Sequence, residues 1–102
     1  MQTAPRKSQP PTPVEELEEI LRTIARGIVD DPDEVVILPA AAAGFVHFEV
    51  RVANDDVGTL VGRRGAHAEA IRTLMMAAGA VRKYRVTLQI LSHDGDASVA
   101  PR

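Results

Sequence analysis

A two-layer α+β domain, with elements in the order helix, strand, strand, helix, helix, strand, is predicted by three observations. An apolar stripe recurs at helical spacing in the N-terminal third. Two later segments alternate apolar and polar residues with a period of two, and two glycines three apart interrupt a helical stretch between them. Three strands with one apolar face and three amphipathic helices pack as a three-stranded sheet with the three helices on one face.

The first helix is the best marked. Thr12-Pro13-Val14-Glu15 supplies a cap, a proline for the first helical position and a glutamate to close a capping box. Val14, Leu17, Leu21, Ile24 and Ile28 then fall on one stripe, and Asp31 before Pro32 ends the helix near Val29 or Asp30. The β-branched run from Glu34 to Leu38 predicts a short strand closed by Pro39, with a loop from Ala40 to Gly44. From Phe45 to Ala53, Val46, Phe48, Val50 and Val52 alternate with His47, Glu49 and Arg51, which predicts a strand with one buried face.

Asn54 or Asp55 can cap a short second helix through Val61, and a loop at 62–65 separates it from a third. That third helix is predicted from about Ala66 to Val81, with Ile71, Leu74, Met75 and Ala78 as its buried stripe. Tyr84 to Leu91 alternates again, with Val86, Leu88 and Ile90 inward. With 102 residues there is room for one domain, expected at 13–92 between a Pro-rich disordered tail at 1–12 and a small, polar one at 93–102.

The absence of cysteine excludes disulfides and thiolate metal sites, so hydrophobic packing must hold the fold. No apolar stretch approaches the roughly 20 residues that cross a bilayer, and no secretory signal pattern is seen, so a cytoplasmic location without membrane contact is expected. The net charge of −2 argues against a protein that coats nucleic acid by bulk charge. Yet charge is divided along the chain: eight acids face Arg22 and Arg26 between Val14 and Glu34, whereas six bases face three acids between Asp55 and Arg85. An anionic partner should therefore meet the second half.

The informative stretch is Asp56-Val57-Gly58-Thr59-Leu60-Val61-Gly62-Arg63-Arg64-Gly65-Ala66. Gly62 and Gly65 allow a tight turn and close approach of a ligand, because neither carries a Cβ. The amides of Arg63, Arg64 and Gly65 precede a helix start, where the dipole favours anions, and two arginines add phosphate hydrogen bonds. A phosphate backbone uses all three features. The glycine spacing does not fit a dinucleotide fingerprint, and no Gly-Lys-Ser/Thr forms a Walker loop. His47, His67 and His93 are too scattered for a metal site. No nucleophile, base and orienting group can be assembled, so neither an enzyme nor a cofactor is expected.

Val57-Gly58-x-Leu60-Val61-Gly62-x-x-Gly65 resembles the GxxG loop of KH domains with its preceding helix, and the element order is similar to the type II KH arrangement. Asp31-Pro32-Asp33-Glu34-Val35, Asp56-Val57-Gly58 and Ile71-Arg72-Thr73-Leu74 resemble the small bacterial single-KH proteins of the KhpA (YlqC-like) family over roughly residues 14 to 92. The resemblance implies single-stranded RNA bound at Gly62, Arg63, Arg64 and Gly65, and a hydrophobic groove lined by Leu60, Val61, Ala68 and Ile71 with part of the strand Phe45 to Ala53. His67 is a further candidate donor to phosphate. It also implies an RNA chaperone or post-transcriptional regulator, or alternatively a dimerisation or docking module that forms a homodimer or a heterodimer with a larger, KhpB-like KH-containing protein. Two departures stand out: Ala66 follows the loop where relatives commonly carry a base, and Ala68 replaces a large aliphatic residue. Whether Arg82, Lys83 and Arg85 extend the phosphate track, or only charge a helix end and a strand edge, stays open on sequence alone.

Overall fold

Thr12 and Glu15 start the fold as their spacing predicts. In the computed structural model, which describes residues 10–94, the first helix (α1) spans Pro13–Ile28. The Thr12 hydroxyl accepts the Glu15 amide at 3.1 Å while the Thr12 amide donates to Glu15 Oε1 at 3.0 Å, a complete capping box. Leu17, Leu21 and Ala25 are buried, with Val14, Ile24 and Ile28 packed at their flanks. Burying a leucine such as Leu17, 0% exposed, contributes about 1.5–3 kcal/mol.

The two β-strands that follow form a hairpin longer than the sequence suggests. Pro32–Glu34 makes a 3₁₀ turn, so the first strand (β1) begins only at Val36, and it runs through Pro39 to Ala42. The predicted loop at 40–44 shrinks to Ala43 and Gly44, because Ala42 and Phe45 are already register partners. Pro39 is tolerated because β1 is an edge strand, where a position whose N–H would face away from the neighbour needs no donor. The second strand (β2) spans Phe45–Val52, antiparallel to β1 and parallel to the last strand (β3), Arg85–Ser92, in the order β1-β2-β3. A parallel pair needs a crossover. Here it is made by a 3₁₀ turn at Asn54–Asp56, a short helix (α2) at Val57–Val61, the glycine turn, and a long helix (α3) at Ala66–Val81.

Val46, Phe48, Val50 and Val52 of β2 and Val86, Leu88 and Ile90 of β3 face the helices, and the other face of the sheet is open, with Val36, Leu38 and Phe45 exposed on it. On α3 the buried positions are Ala68, Ile71, Met75 and Gly79. Leu74, expected inside, is 56% exposed, since the helix is rotated to lay Gly79 against β3. A Cβ at Gly79 would stand 2.6 Å from both the Tyr84 carbonyl oxygen and Val86 Cγ2, so the close approach requires glycine there. His93 and Asp94, expected in the second tail, are tied to the domain. The His93 amide donates to the Val52 carbonyl at 3.1 Å, its Nε2 lies 2.6 Å from the Glu34 carbonyl, and the Asn54 amide group donates to the Asp94 carboxylate at 3.0 Å. The remaining tail expectations, at 1–9 and 95–102, lie outside the described residues. Among the described residues no helix is long and apolar enough to cross a membrane.

Candidate functional site

The glycine turn is assembled from short-range geometry. The Gly62 amide donates to the Gly58 carbonyl at 2.8 Å and ends α2, after which Gly62 itself takes φ 82 and ψ 167, a conformation open essentially to glycine alone. Arg64 (φ 57, ψ 24) and Gly65 (φ 75, ψ 16) are both left-handed, and the Gly65 amide closes the turn on the Gly62 carbonyl at 2.9 Å. Of the three amides expected to face a ligand, that of Gly65 is thus used internally. Among the described residues the amides of Arg63 and Arg64 have no intramolecular acceptor, and both side chains are exposed and without an ion-pair partner.

His67 braces this turn. Its Nδ1 lies 2.8 Å from the Thr59 carbonyl oxygen, which only accepts, so Nδ1 carries the hydrogen. Neutral His67 therefore has an acceptor at Nε2, and only the protonated ring can donate to a phosphate. Leu60, Ala68 and Ile71, expected to line a groove, are 1%, 4% and 3% exposed and belong to the core. Their role is to seat α2 and α3 beneath the turn; Val61 is half-buried at the edge of the same cluster. The strand Phe45 to Ala53, expected to share that lining, lies in the middle of the sheet. β2 is the central strand, bonded along both edges.

One cleft among the described residues lies between α3 and the free edge of β3. It is a groove of about 460 Å³ reached by Met76 and Ala80 on one side and by Lys83, Arg85, Val86 and Thr87 on the other. Ala66, Glu69, Thr73, Met76 and Ala80 share one helical face, so this groove and the glycine turn lie at two ends of a continuous surface. Arg82, in contrast, is committed: it donates to Glu16 Oε1 at 2.9 Å and to the Ala78 carbonyl at 2.8 Å, tying α3 to α1. On α1 Arg22 binds both Glu18 and Glu19. Burial works against its charge, but those carboxylates outweigh it and hold the guanidinium above its ordinary pKa.

One residue that sequence reasoning missed positions the turn. Asp56 is 2% exposed, and its carboxylate accepts the Asp30 amide at 3.1 Å and the Asp31 amide at 3.0 Å. It thereby fastens the end of α1 to the start of α2, five residues before the turn. The available signal was the recurrence of Asp31-Pro32 and Asp56-Val57-Gly58 as separate motifs, which the fold brings into contact.

The sequence profile of the family described as KhpA/KhpB, KH domain matches residues 18–90. The chain is 38% identical over 74 residues to the RNA-binding protein KhpA of Treponema pallidum, covering 72% of this chain and 92% of that one. It is 42% identical over 77 residues to RNA-binding protein KhpA of Streptomyces coelicolor, covering 76% and 96%, and 36% identical over 75 residues to that of Clostridium acetobutylicum, covering 74% and 100%.

Proposed function

The chain belongs to the KhpA/KhpB KH-domain family, and from that premise we propose that it is a non-enzymatic, cytoplasmic RNA-binding protein that holds single-stranded RNA at Gly62, Arg63, Arg64 and Gly65. The observation that carries this reading is the turn itself: two acceptor-free amides and two unpaired guanidiniums stand together between Gly62 and Gly65, neither of which carries a Cβ. Ribose-phosphate offers oxygen acceptors at a repeating spacing that suits such a clamp. With no array of exposed aromatics, the binding is sequence-tolerant and weak, which suits an RNA chaperone or post-transcriptional regulator.

The test is RNA binding by the double variant Arg63→Asp, Arg64→Asp. Both side chains are exposed and unpaired, so the thermal midpoint should be unchanged while affinity falls at least tenfold. Unchanged affinity in a folded variant would remove the turn from the binding site.

A second reading, association with another copy or with a larger KH-containing protein of the KhpB type, is favoured by a specific feature of α3. Leu74, Met76 and Val81 are 56%, 59% and 79% exposed, so the exposed surface of that helix carries three large apolar side chains in its second half. Light scattering over a range of concentrations should give a dimer that Leu74→Lys, Val81→Lys dissociates. A wild type that stays monomeric and captures no KH partner would count against it.

A further inference from the structure

We propose that a bound RNA strand does not end at the glycine turn but continues along α3 and over the free edge of β3, where Lys83 and Arg85 hold its phosphates and Phe45 stacks a base on the open face of the sheet. The inference rests on the RNA-binding reading and enlarges its footprint.

Four observations carry it. The groove at the far end of α3 is bounded from both sides of β3. Val86 points to the core side, while Arg85 and Thr87 belong to the open face, so the depression runs across the strand edge from one face of the domain to the other. Arg85 is the register partner of Phe45, and both lie on that open face, where Phe45 is 38% exposed. Paired residues of adjacent strands on one face are neighbours, which places a cation beside an exposed ring.

The charge there is unspent. Among the described residues neither Lys83 nor Arg85 has a carboxylate within ion-pair distance, whereas Arg22, Arg26, Arg51 and Arg82 all do. This separates the two from their neighbour Arg82, which is spent on Glu16.

The backbone presents Lys83 rigidly. Its amide donates to the Ala80 carbonyl at 3.1 Å and that of Tyr84 to the Gly79 carbonyl at 2.8 Å, which is the Schellman ending of a helix. Lys83 occupies the left-handed position of that motif with φ 64, where glycine is usual. A strained lysine kept where glycine would be relaxed points to a use for its ammonium group.

Since α3 has 16 residues, about 24 Å separates its two ends, and a strand clamped at the turn must run the length of the helix to reach Lys83. The experiment measures fluorescence anisotropy of single-stranded oligoribonucleotides of four and about twelve nucleotides with the full chain. The variants are Lys83→Gly and Phe45→Thr, Arg85→Gln. Lys83→Gly relieves backbone strain while deleting the charge, and the other pair changes exposed side chains, so all should fold. The twelve-mer is expected to lose about tenfold in affinity to each variant, and the four-mer to keep its wild-type affinity. Twelve-mer affinities equal to wild type would overturn the extended path and leave the turn intact. A wild type that binds neither oligomer would overturn the RNA reading itself.

Discussion

Gly62 lies so close to His67 that a Cβ built on it would stand 2.6 Å from the imidazole Cγ and 2.8 Å from the His67 backbone nitrogen. The first of these atoms belongs to a ring held by the Thr59 carbonyl and the second to the start of α3, so neither can give way cheaply. Gly62→Ala should therefore destabilise the domain by about 2–3 kcal/mol, from the glycine-only φ/ψ region and the overlap together. At Gly65 the space around a Cβ is open, and only the left-handed backbone opposes alanine, at about 1 kcal/mol. Denaturant melts of the two variants check this, and equal losses would mean that His67 does not brace the turn.

Asp56 is expected to matter more for the fold than its position in a loop suggests. Asp56→Ala strands the Asp30 and Asp31 amides in a partly buried corner, and losing hydrogen bonds to a charged acceptor costs about 2–3 kcal/mol. In a domain of this size that lowers the thermal midpoint by about 10 °C or more. Asp56→Asn retains one acceptor oxygen and should lose about half as much. Calorimetry on the two variants decides, and an Asn variant as damaged as Ala would show that both oxygens act only as a unit.

The elements that local chemistry defines were legible in the sequence. The Thr12–Glu15 box, the stripe through Leu17 and Leu21 and the alternation of β2 depend on neighbours close in the chain. What escaped depends on partners far along it. Pro39 ends a strand only where both edges are bonded, and nothing local says that β1 is an edge. Leu74 fits the apolar stripe of α3 as well as Ala68 does, and only the approach of β3 to Gly79 selects the rotation that exposes it. At the site, the glycines and the two arginines were readable because the turn is built within four residues. The burial of Leu60, Ala68 and Ile71, the bond from Asp56 to α1 and the groove beside β3 required the tertiary arrangement.

Arg64 gives a way to separate preorganisation from charge. Its left-handed backbone costs about 1–2 kcal/mol relative to glycine, so Arg64→Gly should raise stability slightly while weakening RNA binding. Arg64→Lys keeps a charge in the same strained geometry and should fall between glycine and the wild type in affinity. Binding isotherms set beside urea melts test the pair. If Arg64→Gly bound RNA as tightly as the wild type, the guanidinium would have no part in the contact.

Salt dependence carries the last prediction because it counts phosphates without needing to know the sequence bound. For single-stranded nucleic acid the slope of log affinity against log salt is about −0.7 for each phosphate neutralised. The turn offers Arg63 and Arg64, so a four-nucleotide oligomer should show a slope near −1.4, shallow beside that of a strongly basic protein. If the strand also reaches Lys83 and Arg85, a twelve-nucleotide oligomer should approach about −2.8, and Lys83→Gly should return it by roughly 0.7. A twelve-mer slope equal to that of the four-mer would confine all contacts to the glycine turn, whatever the affinities.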